Sequence, residues 1–253
     1  MNLYPRRPNA VGRLSESLPP AVKLPCTLCP GREIGICSPL DEAGLAHLLA
    51  MGRTVRWKKG ETMFRAGDAL GMFYKVTKGI VAVHRTLEDG RRQIVAFHTI
   101  GDLCGYLENA GTYNFGGDAI TDVEACAFDR RKFHAFATQH IGLATALGRD
   151  MTDKLKRAAE NMAAIGQLNT TERVAYFLLQ LGNIYATRLG ARPPLHLRLS
   201  RQQIAEYLGM KIETVSRSFA KLKTKGLIVL IGLDTVVILD REKLEEFACL
   251  PPV

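Results

Sequence analysis

Hydrophobic and polar positions change rhythm three times along the chain. Residues 1 to about 40 show no period and carry prolines at 5, 8, 19, 20, 25, 30 and 39, which excludes regular elements longer than a turn or two. Such an arm needs something to fold around. From about Arg53 to Phe128, short β-like runs are punctuated by glycines at 60, 67, 71, 79, 90, 101, 105, 111, 116 and 117, a spacing that predicts an all-β roll or barrel. Within it Gly79–His84 alternates, Asp89-Gly90 predicts a type I′ hairpin turn, and Gln93–Phe97 returns as the paired strand.

After Asp129 the strand and glycine signals fade. Ala144, Leu147, Met151, Leu155, Ala158, Met162 and Ile165 recur at steps of three and four, an a/d-like helical seam. So narrow a seam fits a parallel homodimer and packing against the β-domain of the same chain equally well. Asn169-Thr-Thr-Glu172 then predicts an N-cap box opening a helix with Val174, Phe177, Leu178, Leu181 and Tyr185 on one face, stopping near Gly190. Gly190–Pro194 reads as a loop and Leu195–Leu199 as a short strand. Ser200-Arg-Gln-Gln203 is a second capping box.

Residues 200–226 parse as a helix over 201–208, a turn at Gly209 and a second helix over 212–225 closed by Gly226, which is a helix-turn-helix. Ile204, Ala205 and Leu208 would meet Ile212, Val215, Phe219 and Leu222 in the joint. Glu213, Ser216 and Arg217 then project together near the start of the second helix. Arg pairs with guanine O6 and N7, Glu accepts from cytosine N4, and Ser serves either, while Lys221 and Lys223 suit phosphates. Alone, this face fits a solvated helix side with an internal ion pair better. The apolar runs Leu227–Ile231 and Val236–Leu239 about Gly232 add the hairpin of a winged motif.

Charge supports the DNA reading. The 253 residues carry net +9, and between 171 and 232 ten basic residues face three acidic ones, a net +7; the stretch 233–253 holds two basic and five acidic residues. With 47% hydrophobic and 23% charged residues the chain is no disordered polymer, and its length suits two domains. No apolar stretch approaches the roughly 20 residues of a membrane helix, and the first residues lack a signal peptide's apolar core, so a cytoplasmic protein without membrane partners is expected. No P-loop, nucleophile elbow or H-E-x-x-H occurs, so no enzyme is expected.

Six cysteines are too few for a disulfide scaffold in a reducing compartment. Cys26, Cys29 and Cys37 form a C-x2-C-x7-C run, whereas Cys104, Cys126 and Cys249 are scattered. The run fits zinc, an iron–sulfur cluster or a metal-free thiol switch. The six histidines show no ligand-like spacing, and covalent haem is not supported.

The glycine-punctuated roll, the long seam helix and the winged helix carrying Glu213-Thr-Val-Ser-Arg217 resemble the CRP/FNR family of transcription regulators over about residues 40–248. The resemblance implies an α+β fold with an N-terminal arm (1–40), a cyclic-nucleotide-binding-like β-roll or jelly roll (41–138), a dimerisation helix (139–168) and a winged helix-turn-helix (169–253). It implies a homodimer reading a palindromic, TTGAT-like site in double-stranded DNA, with RNA polymerase as a further partner. Glu213, Ser216 and Arg217 would read bases, and Lys211, Arg201, Lys221 and Lys223 would complete the contacts. Lys211 departs from the family, which usually places a Ser or Thr cap there.

Cyclic-nucleotide-binding members carry a Gly-Glu followed by Arg-Ser; here Gly101-Asp102 is followed by Gly116-Gly117-Asp118-Ala119, without the arginine that grips the phosphate, so no cyclic nucleotide is expected. The FNR branch instead holds an oxygen-sensing [4Fe-4S] cluster. By that likeness Cys26, Cys29, Cys37 and Cys126 are the ligands, with Cys104 the rival fourth and an x7 gap before Cys37 longer than the x5 of the best-known member. Zinc, a metal-free thiol switch, and nitric-oxide or haem sensing are the alternatives, a metal–thiolate redox enzyme a more distant one. Ala158 stands where that member has a destabilising aspartate, so dimerisation should depend less on the cluster.

Overall fold

The computed structural model describes residues 25–105, 111–189, 194–232 and 234–249. The prolines before residue 25 and most of the loop expected at 190–194 lie outside the described residues.

Asp41 caps α1 (Glu42–Met51) by accepting from the Gly44 amide at 2.8 Å. Eight strands follow: β1 (Gly52–Trp57), β2 (Thr62–Phe64), β3 (Met72–Lys78), β4 (Val81–Thr86), β5 (Arg92–His98), β6 (Leu103–Cys104), β7 (Gly116–Ala119) and β8 (Val123–Asp129). They pair as two antiparallel sheets, β1-β8-β3-β6 and β2-β7-β4-β5. Between the sheets lie Met63, Phe64, Val76, Val81, Tyr113 and Val123, the interior of the expected roll. Two-residue alternation decides what faces out: Val123 joins that interior, whereas Phe73, Cys126 and Phe128 belong to the cluster under α1. At Gly79 (φ 92°) the β3–β4 turn presses so close that a Cβ would stand 2.3 Å from the Asp122 carbonyl, which only glycine escapes.

The hairpin at Asp89-Gly90 is wider than a type I′ turn. Thr86 pairs with Arg92, leaving five residues in the loop, and of the two expected turn residues only Gly90 has a positive φ. The Asp89 carboxylate accepts instead from the Arg91 amide and side chain, which holds Asp89 out of the left-handed region.

Helix α2 (Arg130–Ala137), capped by Asp129, packs with α1 and the start of α3 (Ile141–Gln167) around Phe73, Phe128, Phe133, Phe136 and Leu143. Next come α4 (Thr170–Leu189), β9 (Leu195–His196), α5 (Arg201–Leu208), α6 (Ile212–Thr224), β10 (Ile228–Ile231), β11 (Thr235–Ile238) and α7 (Arg241–Ala248). The predicted boxes cap α4 and α5: Glu172 accepts from the Asn169 amide, and Ser200 and Gln203 bond reciprocally. The expected strand at 195–199 shortens to β9, which pairs with β11 at the edge of the wing sheet β10-β11-β9. One continuous core runs from Ile80, Ala82 and Ile94 of the roll through α4 into α5 and α6, so roll and C-terminal unit share buried surface. This is the α+β architecture expected: roll, long helix, winged helix-turn-helix.

Candidate DNA-reading face and cysteine cavity

Helix α5 ends at Gly209 (φ 63°), and α6 ends in a Schellman motif in which the Gly226 and Leu227 amides donate to the Lys223 and Leu222 carbonyls. The joint holds Ile204, Ala205, Leu208, Val215, Phe219 and Leu222; Ile212, expected there, is 38% exposed, and Ser218 is buried in the same helix instead. The reason is position: Ile212 is the first residue of α6, before the helix has turned its apolar side to α5.

Glu213, Ser216, Arg217, Lys211, Lys221 and Lys223 are all exposed. Among the described residues no ion pair joins Glu213 to Arg217, whose guanidinium reaches the Thr214 hydroxyl at 3.5 Å instead, so the face is solvated without the internal pair. The Ser216 hydroxyl donates to the Ile212 carbonyl at 3.1 Å, leaving its lone pairs outward. Lys211 occupies the N-cap of α6 without any side-chain capping bond. Arg201 differs from the rest: it is half-buried, its guanidinium lying 3.4 Å from the centroid of the Phe219 ring.

The seam on α3 divides. Leu147 and Met151 pack in-chain against the cluster beneath α1 and α2, and Ile165 is half-buried. Ala144 and Ala158 are exposed, as are Leu155 (72%) and Met162 (71%), and with Ile141 (85%), two heptads before Leu155, the last two lie on one line of the helix. In-chain packing thus accounts for the first stretch of the seam, and the second is left bare.

The cysteine run winds as two short 3-10 turns, Pro25–Leu28 and Gly35–Cys37. Arg32 holds the winding from inside: its guanidinium donates to the carbonyls of Cys37 (2.7 Å), Ser38 (3.3 Å) and Leu40 (2.6 Å). Against the outer face of the β1-β8-β3 sheet this leaves a cavity of about 360 Å³ lined by Cys26, Cys29, Cys37 and Cys126, with Thr54, Lys75 and Glu124. Thr54, Cys126 and Lys75 lie directly opposite one another on the three strands.

Burial pushes the Cys126 thiol up to about 12, helped by the neighbouring Cys29 and Cys37 sulfurs and opposed by Lys75. Cys26 is raised likewise, first by burial and then by Cys37 and Cys29. Cys104, the rival, is elsewhere: it lies inside the roll with Val76, Val81 and Tyr113, raised by burial with Lys154, Asp102 and Asp150 as its charged neighbours. Cys249 is exposed at the end of α7. Among the described residues no three His, Cys, Asp or Glu side chains converge tightly enough for a single metal ion.

The arm rests on the turn at Ile100–Leu103. At Gly101 (φ 91°) a Cβ would strike Ile34 at 2.5 Å, so the glycine is the seat of the arm. The next residue, Asp102, is 0% exposed; its carboxylate accepts from the Thr99 amide (2.9 Å) and is paired with Arg188 of α4 (2.7 Å) and Arg157 of α3 (3.5 Å). Lys154 of α3 donates to the Leu103 carbonyl at 2.9 Å and pairs with Asp150 at 2.7 Å. Sequence reasoning singled out Gly101-Asp102 only for what it lacked as a phosphate site, and it did not single out Lys75 or Arg32. A lysine two residues from Phe73, on the same side of a strand, was the available signal.

The chain matches the family description "Cyclic nucleotide-binding domain" over residues 54–140 and "Crp-like helix-turn-helix domain" over 172–247. It is 37% identical to the nitrogen fixation regulation protein FixK of Bradyrhizobium diazoefficiens, over 88% of this chain and 93% of that protein. It is 32% identical to the transcriptional activator protein FnrL of Cereibacter sphaeroides, over 90% of this chain and 94% of that one. The solved structure of FixK2 from Bradyrhizobium japonicum superposes with a TM-score of 0.71 at 31% identity, covering 78% of this chain and 96% of that one.

Proposed function

This chain belongs to the CRP/FNR family of transcription regulators, and from that premise we propose that it is an FNR-type sensor, a homodimer that holds a [4Fe-4S] cluster and reads a palindromic TTGAT-like site. The relatives are named as a nitrogen fixation regulation protein and a transcriptional activator. The observation that carries the sensor reading is the meeting of Cys126, from β8, with Cys26, Cys29 and Cys37 of the arm around one cavity.

The residues fit the group. The cavity, about 360 Å³, has room for an inorganic core. Cys26, Cys29, Cys37 and Cys126 would hold a cubane; zinc would draw four sulfurs to one centre, and among the described residues no such group of side chains converges. Burial raises the Cys126 thiol, the opposite direction from the lowered thiol that a reactive redox switch needs. What the bound group supplies is an oxygen-labile set of covalent ties between arm and roll.

The protein's own residues turn that tie into a signal. Ile34 seats the arm on Gly101, and the adjoining Asp102 holds Arg157 of the dimer helix and Arg188 of the helix leading to the DNA-reading unit. An arm fixed in place thus favours one arrangement of α3 and α4, and a released arm withdraws that bias. In the favoured arrangement Glu213, Ser216 and Arg217 meet base edges, while Lys211, Lys221 and Lys223 meet phosphates. RNA polymerase is the further partner of such an activator. A cyclic nucleotide is not, because the Asp102 carboxylate is already engaged by two arginines and the phosphate-gripping arginine is missing.

The test is iron and acid-labile sulfide per chain after anaerobic purification, with the visible spectrum followed on admitting air. About four of each, bleaching in air, is the expected result for a [4Fe-4S] protein. No iron, with or without zinc, overturns the sensor reading and leaves the DNA-binding unit standing.

A further inference from the structure

Lys75 is 1% exposed, in a residue type almost never fully buried unless paired. Its ammonium donates to the Gly31 carbonyl at 2.5 Å, and among the described residues no carboxylate stands within ion-pair distance. Glu124, the acidic residue on the same cavity wall, is taken by Arg56 at 2.6 Å. Lys75 therefore enters the fold as a cation with one neutral partner, an arrangement that is costly unless negative charge is brought to it.

The cavity supplies the place for that charge. Lys75 is the direct cross-strand partner of Cys126, both side chains line the cavity, and Lys75 is felt electrostatically at both Cys26 and Cys126. Without an anionic occupant in the cavity, no group among the described residues balances the ammonium. Four thiolates holding an inorganic core carry net negative charge, and the ammonium then meets its counter-charge inside a low-dielectric site.

We propose that Lys75 is the built-in counter-ion of the cysteine cavity: it balances the thiolate-bound group electrostatically and at the same time pins the arm through the Gly31 carbonyl. This rests on the cavity being a cluster site. Lys75 is thus a positioning residue that makes the site selective for an anionic occupant. Its position on β3 ties that selectivity to the roll rather than to the arm alone.

The full-length variants Lys75→Arg, Lys75→Gln and Lys75→Met separate charge from shape. Each is purified anaerobically beside the natural protein, with folding checked by thermal melting, iron and sulfide counted, and the midpoint potential of the bound cluster measured. Lys75→Arg should keep the iron content and potential close to the natural ones. Lys75→Gln keeps a donor for Gly31 but no charge; it and Lys75→Met should lose most of their iron, and the potential of what remains should move to more negative values. A folded Lys75→Gln with the natural iron content and an unshifted potential overturns the proposal, as does equal loss in Lys75→Arg and Lys75→Gln. Natural protein free of iron brings down the cluster reading itself, whereas an iron-loaded natural protein indifferent to Lys75 brings down only the counter-ion.

Discussion

Asp102 of the roll and Arg188 of α4 meet at 2.7 Å with the carboxylate wholly sealed from water, one residue beyond the glycine on which Ile34 of the arm is seated. A buried pair of this kind is not a large net source of stability, but removing one partner strands the other. Asp102→Ala should therefore cost about 3–5 kcal/mol in denaturant unfolding. It should also weaken DNA binding without touching the α6 surface, because Arg157 and Arg188 lose the anchor that orders α3 and α4. A variant as stable as the natural protein, or one whose DNA affinity is unchanged, would show that the turn is not the coupling point.

Acid should loosen the same junction. Burial, then Lys154, holds the pKa of His98 down to about 3 from its ordinary 6.5. The unfolded imidazole takes up a proton as pH falls through 6.5, whereas the folded one resists until about 3, so this contribution is complete above that window and drains as pH falls through it. Asp102 acts in the same direction: burial works against its charge, but His98, Arg188, Arg157 and Lys154 outweigh it and hold the carboxyl below its usual value. Melting of the metal-free protein should shift steadily downward on acidification, and His98→Gln should flatten that slope over its upper part. A slope identical in the two proteins refutes the assignment to His98.

On α6 the exposed residues make separable claims. Arg217→Ala should cost about 1–3 kcal/mol on the specific site and little on random DNA, so the specificity ratio falls. Lys223→Ala should weaken both alike and lower the salt slope by about 1. Fluorescence titrations at several salt concentrations distinguish these outcomes, and an unchanged specificity ratio in Arg217→Ala removes it from the base-reading set.

Local rules made much of this molecule legible. The capping boxes at Asn169 and Ser200, the glycine C-caps at 209 and 226 and the alternating strands of the roll depend on neighbours within a few positions, and they stand where the sequence places them. Register across distant strands is not local. Nothing near Cys126 indicates that it lies opposite Lys75, or that Cys104, only two residues after Asp102, faces the roll interior instead. The width of the Asp89 loop escaped for a related reason: the side-chain bond to Arg91 competes with the backbone geometry that the dipeptide favours. In the sequence the seam on α3 is one continuous period, yet the fold covers Leu147 and leaves Leu155 bare, because α1 and α2 reach only the first turns of the helix.

That bare stretch carries the last prediction. Ile141, Leu155 and Met162 are 85%, 72% and 71% exposed and stand fourteen and seven residues apart, in heptad register with Gly148 between the first two, so an identical helix laid alongside would cover them without displacing the Arg157 and Lys154 contacts on the other side. No acidic residue interrupts the line, and Ala158 beside it is exposed and neutral. Removing such large side chains from water gains on the order of 1.5–3 kcal/mol each, a drive present whether or not the cavity is filled. Sedimentation should thus find the metal-free protein substantially dimeric at micromolar concentration. Leu155→Asp, which sets like charges face to face across the two-fold axis, should return it to monomer and abolish binding to the palindrome. A metal-free protein that stays monomeric throughout would mean that the cavity, and not the seam, governs association.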